Sequence, residues 1–117
     1  MRVLSFVISA LLTVMLGATA EAHAFLDHAV PRVGSTVPTA PRQLSLSFTQ
    51  NLEPAFSSVE VSDAKGARVD LGKPSISASV MRIGLKQLSP GTYRVRWHVL
   101  SVDTHTTEGS FIFNVGQ

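Results

Sequence analysis

Cysteine is missing from the 117-residue sequence, and aromatic and charged residues are few, at 7% and 15%. Without cysteine, no disulfide can brace the fold, and no thiolate can act as a nucleophile or bind a metal ion. A net charge of +2 is too small and too scattered to favour nucleic acid or an anionic membrane as a partner. The folded domain must therefore be held together by its apolar core.

Helical periodicity is also missing. Beyond Gly17 no apolar pattern with the 3.6-residue period of an amphipathic helix is sustained, and there is no internal repeat, low-complexity tract or domain linker. No nucleophile–base pair, phosphate-binding loop or pair of carboxylates stands out, which leaves hydrolase functions with little support. The length suits one domain.

The first residues have the three parts of a secretory signal peptide. Arg2 supplies a positive charge, residues 3–16 form an apolar run, and residues 20–22 are a small-x-small cleavage site. The run is shorter than the roughly 20 residues of a membrane span, although an uncleaved anchor is the alternative. Cleavage after Ala22 would remove residues 1–22 from the 117 and leave a mature domain of 95, residues 23–117.

The mature region alternates apolar and polar residues, as half-buried β-strands do. The clearest case is 93–99, where every second residue is apolar and Trp97 is expected in the core. Similar patterns predict further strands near residues 24–30, 43–49, 57–61, 67–71, 80–85 and 110–115. About seven short strands predict an antiparallel sandwich or barrel, with Leu71 facing inward and residues 73–77 forming a loop.

Two potential metal ligands lie between the last two predicted strands, in Asp103-Thr104-His105. In an extended chain, residues two positions apart point to the same side, so a carboxylate and an imidazole would project together. A polar turn, in which Asp103 and Thr104 bond to the local backbone, is the alternative for this segment.

His23 would be the first residue of the mature chain, although it could also be an arbitrary residue after the cleavage point. An N-terminal histidine can bind one metal ion through both its α-amine and its ring Nδ1. The amine has an unperturbed pKa of about 7.7, so a metal ion can displace its proton near neutral pH. With Asp103 and His105 the ligands are three nitrogens and one oxygen, which suit tetragonal Cu(II) without excluding Zn(II) or Ni(II).

The mature chain resembles the CopC-type periplasmic copper-resistance proteins over essentially its whole length. The similarity is carried by residues 23–26 with 31–36, 46–52, 91–97 and 101–113, of which the last stretch is the most specific. The resemblance implies an all-β fold, a small antiparallel Greek-key β-sandwich of the immunoglobulin-like or cupredoxin-like kind. It also implies one Cu(II) ion per chain, held by His23, Asp103 and His105.

The function implied by the same resemblance is that of a periplasmic copper carrier or buffer, in copper resistance or copper import. Such a protein is not an enzyme and has no substrate, and it binds no nucleic acid. Its expected partners are the copper ion and an inner-membrane copper transporter of the CopD type.

The chain departs from some members of that family at two places. A glutamate that lies near the copper in some members is replaced here by Gln50, a neutral and poorer ligand, and Glu53 is a candidate substitute. Methionine-rich loops bind Cu(I) in other members, but Met81 is the single methionine of the mature chain and has core-like spacing, so no separate Cu(I) site is expected. His28 is expected to be a surface histidine, with a weak outer metal site as the alternative, and His98 is expected to be exposed or hydrogen-bonded.

Two other functions are compatible with the sequence. A copper mono-oxygenase, such as one that acts on polysaccharides, also uses an N-terminal histidine chelate on an immunoglobulin-like sandwich. However, Asp103 as a ligand would fill the position that oxygen needs and would disfavour Cu(I). A metal-free immunoglobulin-like interaction module would bind copper no better than any histidine-bearing protein.

Overall fold

The computed structural model describes residues 24–117, so the predicted signal peptide and His23 lie outside the described residues. This part of the chain contains a short 3-10 helix at Pro54–Phe56 and eight strands: β1 (Leu26–Val30), β2 (Thr36–Val37), β3 (Gln43–Phe48), β4 (Ser58–Ser62), β5 (Asp70–Ser77), β6 (Val80–Leu85), β7 (Gly91–Leu100) and β8 (Thr106–Val115). Within residues 24–117, no helix is long and apolar enough to cross a membrane.

The strands form two four-stranded sheets, in the orders β1-β3-β6-β5 and β2-β8-β7-β4. The pairings are antiparallel apart from the short β2, which runs parallel to β8. The longest pairing joins β7 to β8, from Gly91 opposite Val115 to Leu100 opposite Thr106. The all-β sandwich predicted from the sequence is therefore confirmed.

The core lies between the two sheets and follows the predicted alternation. Tyr93 and Phe113 are buried and stack with their ring centroids 5.5 Å apart. Trp97 is half-buried, packs against the core and meets Phe48 edge-on at 5.2 Å. Burying one such side chain contributes about 1.5–3 kcal/mol, so these inward faces stabilise the whole domain.

Strand β5 differs from the prediction in two respects. Residues 73–77, predicted as a loop, lie within the strand, and Leu71, predicted to face inward, is 50% exposed. The backbone at Gly72 has a φ of +70°, and the register with β6 shifts after Leu71. This bulge changes which residues face the core, so Ile76 packs against it instead.

One end of the sandwich is closed where residues 49–53 pass from β3 toward β4. The Asn51 carbonyl accepts a hydrogen bond from the Val102 N–H at 3.0 Å, and the Glu53 N–H donates to the Leu100 carbonyl at 2.8 Å. The connection between β7 and β8 is thereby held against this segment.

Candidate metal centre

Asp103 and His105 lie side by side on the connection between β7 and β8. Nδ1 of His105 is 3.5 Å from Oδ2 of Asp103, and the two side chains are 47% and 35% exposed. Two atoms bound to one ion at about 2.0 Å are roughly 2.8–3.3 Å apart for angles between 90° and tetrahedral. A small side-chain adjustment would let both groups bind the same ion from the solvent side.

A turn brings the pair together, rather than the extended chain expected from the sequence. Thr104 has a φ of +72°, in the left-handed region that non-glycine residues adopt rarely. Its N–H donates to the Ser101 carbonyl at 2.9 Å, and its hydroxyl donates to the Asp103 carbonyl at 2.5 Å. The polar turn and the juxtaposed carboxylate and imidazole are therefore present in the same segment.

Ser101 lies fully buried directly beneath this turn. Its hydroxyl donates to Oδ1 of Asp103, and its N–H donates to the His105 carbonyl at 3.0 Å. The hydrogen bond from Ser101 holds the pKa of the Asp103 carboxyl below its usual value; partial desolvation opposes this effect, and the neighbouring His105 adds to it. Asp103 is therefore an anionic group near neutral pH.

Thr107 holds the segment that starts at Ala24 beside this turn. Its hydroxyl donates to the carbonyl of Ala24 at 2.6 Å, and Ala24 is fully buried. The next residue, Phe25, exchanges two hydrogen bonds of 2.9 Å with Thr49. Because Ala24 directly follows His23 in the sequence, the chain enters the domain next to the Asp-Thr-His turn.

The sequence profile of the CopC domain matches residues 26–116. The chain belongs to the CopC family. CopC-family proteins are copper-binding carriers and not enzymes, so this chain is a copper-related protein without catalytic activity. The resemblance seen in the sequence motifs is thereby confirmed, and the mono-oxygenase alternative is set aside.

Alignments with similar proteins cover most of this CopC-family chain. Protein YobA of Escherichia coli (strain K12) is 32% identical over 122 residues, which cover 97% of this chain and 95% of that protein. Copper resistance protein C of Xanthomonas campestris pv. juglandis is 36% identical over 107 residues and 84% of each chain. The crystal structure of CopC from Methylosinus trichosporium OB3b aligns with a TM-score of 0.75 at 31% identity, over 80% of this chain and 94% of that one.

The remaining candidate ligands of this CopC-family chain lie outside the Asp-Thr-His turn. Among residues 24–117 no three His, Asp or Glu side chains are arranged to hold a metal ion. His28 and His98 are exposed, as predicted, and His28 Nδ1 lies 2.8 Å from a carboxylate oxygen of Asp27. Gln50 and Glu53 are half-buried in the neighbouring segment. The assignment of His23, Asp103 and His105 as ligands therefore stays a prediction.

Ser101 and Thr107 contact the Asp-Thr-His turn and the N-terminal segment, respectively, but the strand pattern does not predict these contacts. The available signal is their spacing, because Ser101, Asp103, His105 and Thr107 occur at every second position. Hydroxyl residues that flank potential ligands at this interval are natural candidates for orienting them.

Proposed function

We propose that this CopC-family chain is a periplasmic carrier or buffer of Cu(II), which holds one ion per chain through His23, Asp103 and His105. The observation that carries the proposal is the meeting of two features at one end of the sandwich. One is the Asp103–His105 pair, with Nδ1 and Oδ2 3.5 Å apart. The other is the Thr107 hydroxyl bound to Ala24, the residue after His23.

The donor chemistry suits copper as the cargo. Removal of residues 1–22 would give His23 a free α-amine, so that this one residue offers two nitrogens. Asp103 adds an anionic oxygen, since its hydrogen bond from Ser101 keeps the carboxyl pKa low. Three nitrogens and one oxygen, without sulfur, match the tetragonal preference of Cu(II).

Delivery of the ion requires that a partner reach it. Asp103 and His105 are partly exposed at the end of the sandwich, so an ion bound there stays accessible to an incoming ligand. We infer that copper passes to or from an inner-membrane transporter of the CopD type, as the family resemblance implies. Partial exposure supports exchange between proteins better than a closed, fully coordinated site does.

Electron paramagnetic resonance (EPR) of one equivalent of Cu(II) on the processed chain beginning at His23 tests the proposal. We expect a single axial signal with nitrogen couplings, altered and weakened by His105→Ala. The matched control is His98→Ala, which removes another exposed histidine from β7 and should leave the signal unchanged. A weak mixture of signals that responds equally to both substitutions would favour a metal-free interaction module.

A further inference from the structure

Ser101 and Ser57 are the buried serines in the part of the chain that the structure describes, with 0% and 8% exposure. A buried hydroxyl without a hydrogen-bond partner destabilises the fold, so its partners indicate its role. Ser57 bonds to the backbone of Leu100, accepting from its N–H at 3.1 Å and donating to its carbonyl at 3.5 Å. Ser101 instead bonds to the Asp-Thr-His turn.

The backbone and side chain of Ser101 both contact the turn. Its N–H donates to the His105 carbonyl at 3.0 Å, and its carbonyl accepts from the Thr104 N–H at 2.9 Å. Its hydroxyl lies against Oδ1 of Asp103 and 3.2 Å from the His105 carbonyl. The hydroxyl has a single proton, and because a carboxylate is a stronger acceptor than a peptide carbonyl, that proton is donated to Asp103.

This hydrogen bond determines which oxygen of Asp103 is available to a metal ion. Oδ1 is held by Ser101, whereas Oδ2 is directed toward Nδ1 of His105, 3.5 Å away. A carboxylate that rotates freely can offer either oxygen, or both, to a cation. With Oδ1 held, Asp103 offers one oxygen on the side of the imidazole.

We propose that Ser101 is a positioning residue of the copper site, whose hydroxyl fixes the Asp103 carboxylate so that Oδ2 and the His105 imidazole bind the ion together. The proposal rests on the proposed function, since it takes Asp103 and His105 as copper ligands. Groups that orient metal ligands contribute roughly 10–100-fold to affinity. Removing the Ser101 hydroxyl should therefore weaken Cu(II) binding by at least about tenfold.

The experiment compares Ser101→Ala with Ser57→Ala in the processed chain beginning at His23. Each substitution removes one hydroxyl from a buried serine near the end of β7, but only the first hydroxyl touches a proposed ligand. Cu(II) affinity is measured by competition with a chelator, the coordination is recorded by EPR, and thermal unfolding is followed without copper. We expect Ser101→Ala to weaken affinity and shift the copper hyperfine coupling, and Ser57→Ala to change neither.

Equal affinity and an unchanged spectrum in Ser101→Ala would overturn the positioning role, as would an equal loss in Ser57→Ala. If the wild-type chain gives no single nitrogen-coupled signal, the proposed function fails as well, so the two failures are distinguishable. Should Ser101→Ala not fold, Ser101→Thr and Ser101→Val replace it as a pair of the same shape. The threonine variant keeps the hydroxyl and should bind copper at least about tenfold more tightly than the valine variant.

Discussion

At the scale of single residues, the Thr107 hydroxyl connects the two parts of the proposed site. It donates to the Ala24 carbonyl at 2.6 Å, although the residues are 83 positions apart in sequence. Thr107→Val keeps the shape of the side chain but removes this hydrogen bond. We expect Cu(II) affinity to fall about tenfold or more, because the N-terminal segment loses the hydrogen bond that joins it directly to the strand after Asp103 and His105. Chelator competition measures the change.

Thr107→Ser is the control for that substitution. It retains the hydroxyl and loses a methyl group, so its Cu(II) affinity should stay close to that of the wild type. If the serine and valine variants lose affinity equally, packing of the methyl group, and not the hydrogen bond to Ala24, is what matters at this position.

The residues of the site differ in how far the sequence could reveal them. Asp103 and His105 could be selected from sequence because carboxylate and imidazole are themselves metal-binding groups. For Ser101 and Thr107 the spacing alone is a weaker signal, since hydroxyl groups serve many roles and their partners depend on the folded structure. Even the juxtaposition of the pair arises from the left-handed backbone at Thr104, which an alternating strand pattern does not predict.

At the scale of secondary-structure elements, Gly109 on β8 keeps the surface clear for the ring of Trp97 on β7. A Cβ atom at Gly109 would lie 2.6 Å and 2.9 Å from carbon atoms of that ring. Gly109→Ala should therefore displace the indole and destabilise the domain by about 1–3 kcal/mol. Urea unfolding monitored by tryptophan fluorescence measures the loss.

Gly84 on β6 offers the matched control for Gly109. An added Cβ there would meet Leu71 at 3.6 Å, an ordinary contact. Gly84→Ala should be neutral or stabilising by about 0.5–1 kcal/mol, because alanine loses less conformational entropy than glycine in a strand. Similar destabilisation by both alanines would mean that the Trp97 contact is not the cause.

Asp70, at the start of β5, is hydrogen-bonded to β4. Its carboxylate accepts hydrogen bonds at 2.8 Å from the Val61 N–H and from Nε of Arg68. Burial raises the pKa of Asp70, but the bonds from Arg68 and Val61 and the Arg68 charge outweigh it, so the pKa lies below its ordinary value. Asp70→Asn should lower the free energy of unfolding at pH 7 by about 1–3 kcal/mol.

The sign of the pH dependence follows from that lowered pKa. The Asp70 contribution is fully present above the unfolded-state pKa of about 3.9 and is lost as the pH falls through the folded-state pKa. The stability gap between wild type and Asp70→Asn should therefore close below about pH 4. Glu60→Gln is the control, because its exposed ion pair with Arg68 should contribute at most about 1 kcal/mol. A gap that is independent of pH would rule out the ionic explanation.

Strands in which apolar and polar residues alternate without interruption could be predicted best from the sequence. Strand β7 has one inward face along its whole length, so its pattern identified both the strand and its buried side. Strand β5 is interrupted by the positive φ of Gly72 and carries Pro74 at the edge of its sheet. A bulge and an edge proline are compatible with a strand only in a particular sheet position, which the sequence does not specify.

At the scale of the whole molecule, the proposed site joins the two ends of the mature sequence. Adding one alanine before His23 would convert its α-amine into an amide and remove a ligand. We expect Cu(II) affinity to fall by at least about 100-fold, the upper part of the range for disturbed metal sites, while the unfolding temperature without copper stays the same. Adding the same alanine after Gln117 is the control. Unchanged affinity in the N-terminal extension would exclude the chelate.

The continuous pairing of β7 with β8 also constrains how this gene can change in length. One residue inserted inside β8 before Phe113 would turn the later side chains of that strand to the opposite face and bring Phe113 and Val115 out of the core. An insertion in the exposed turn at residues 63–66 has no such effect. Insertions and deletions that evolution tolerates in this chain should therefore occur in that turn. Residues 91–115 should keep a constant length, and in an engineered sandwich they would have to be transferred together.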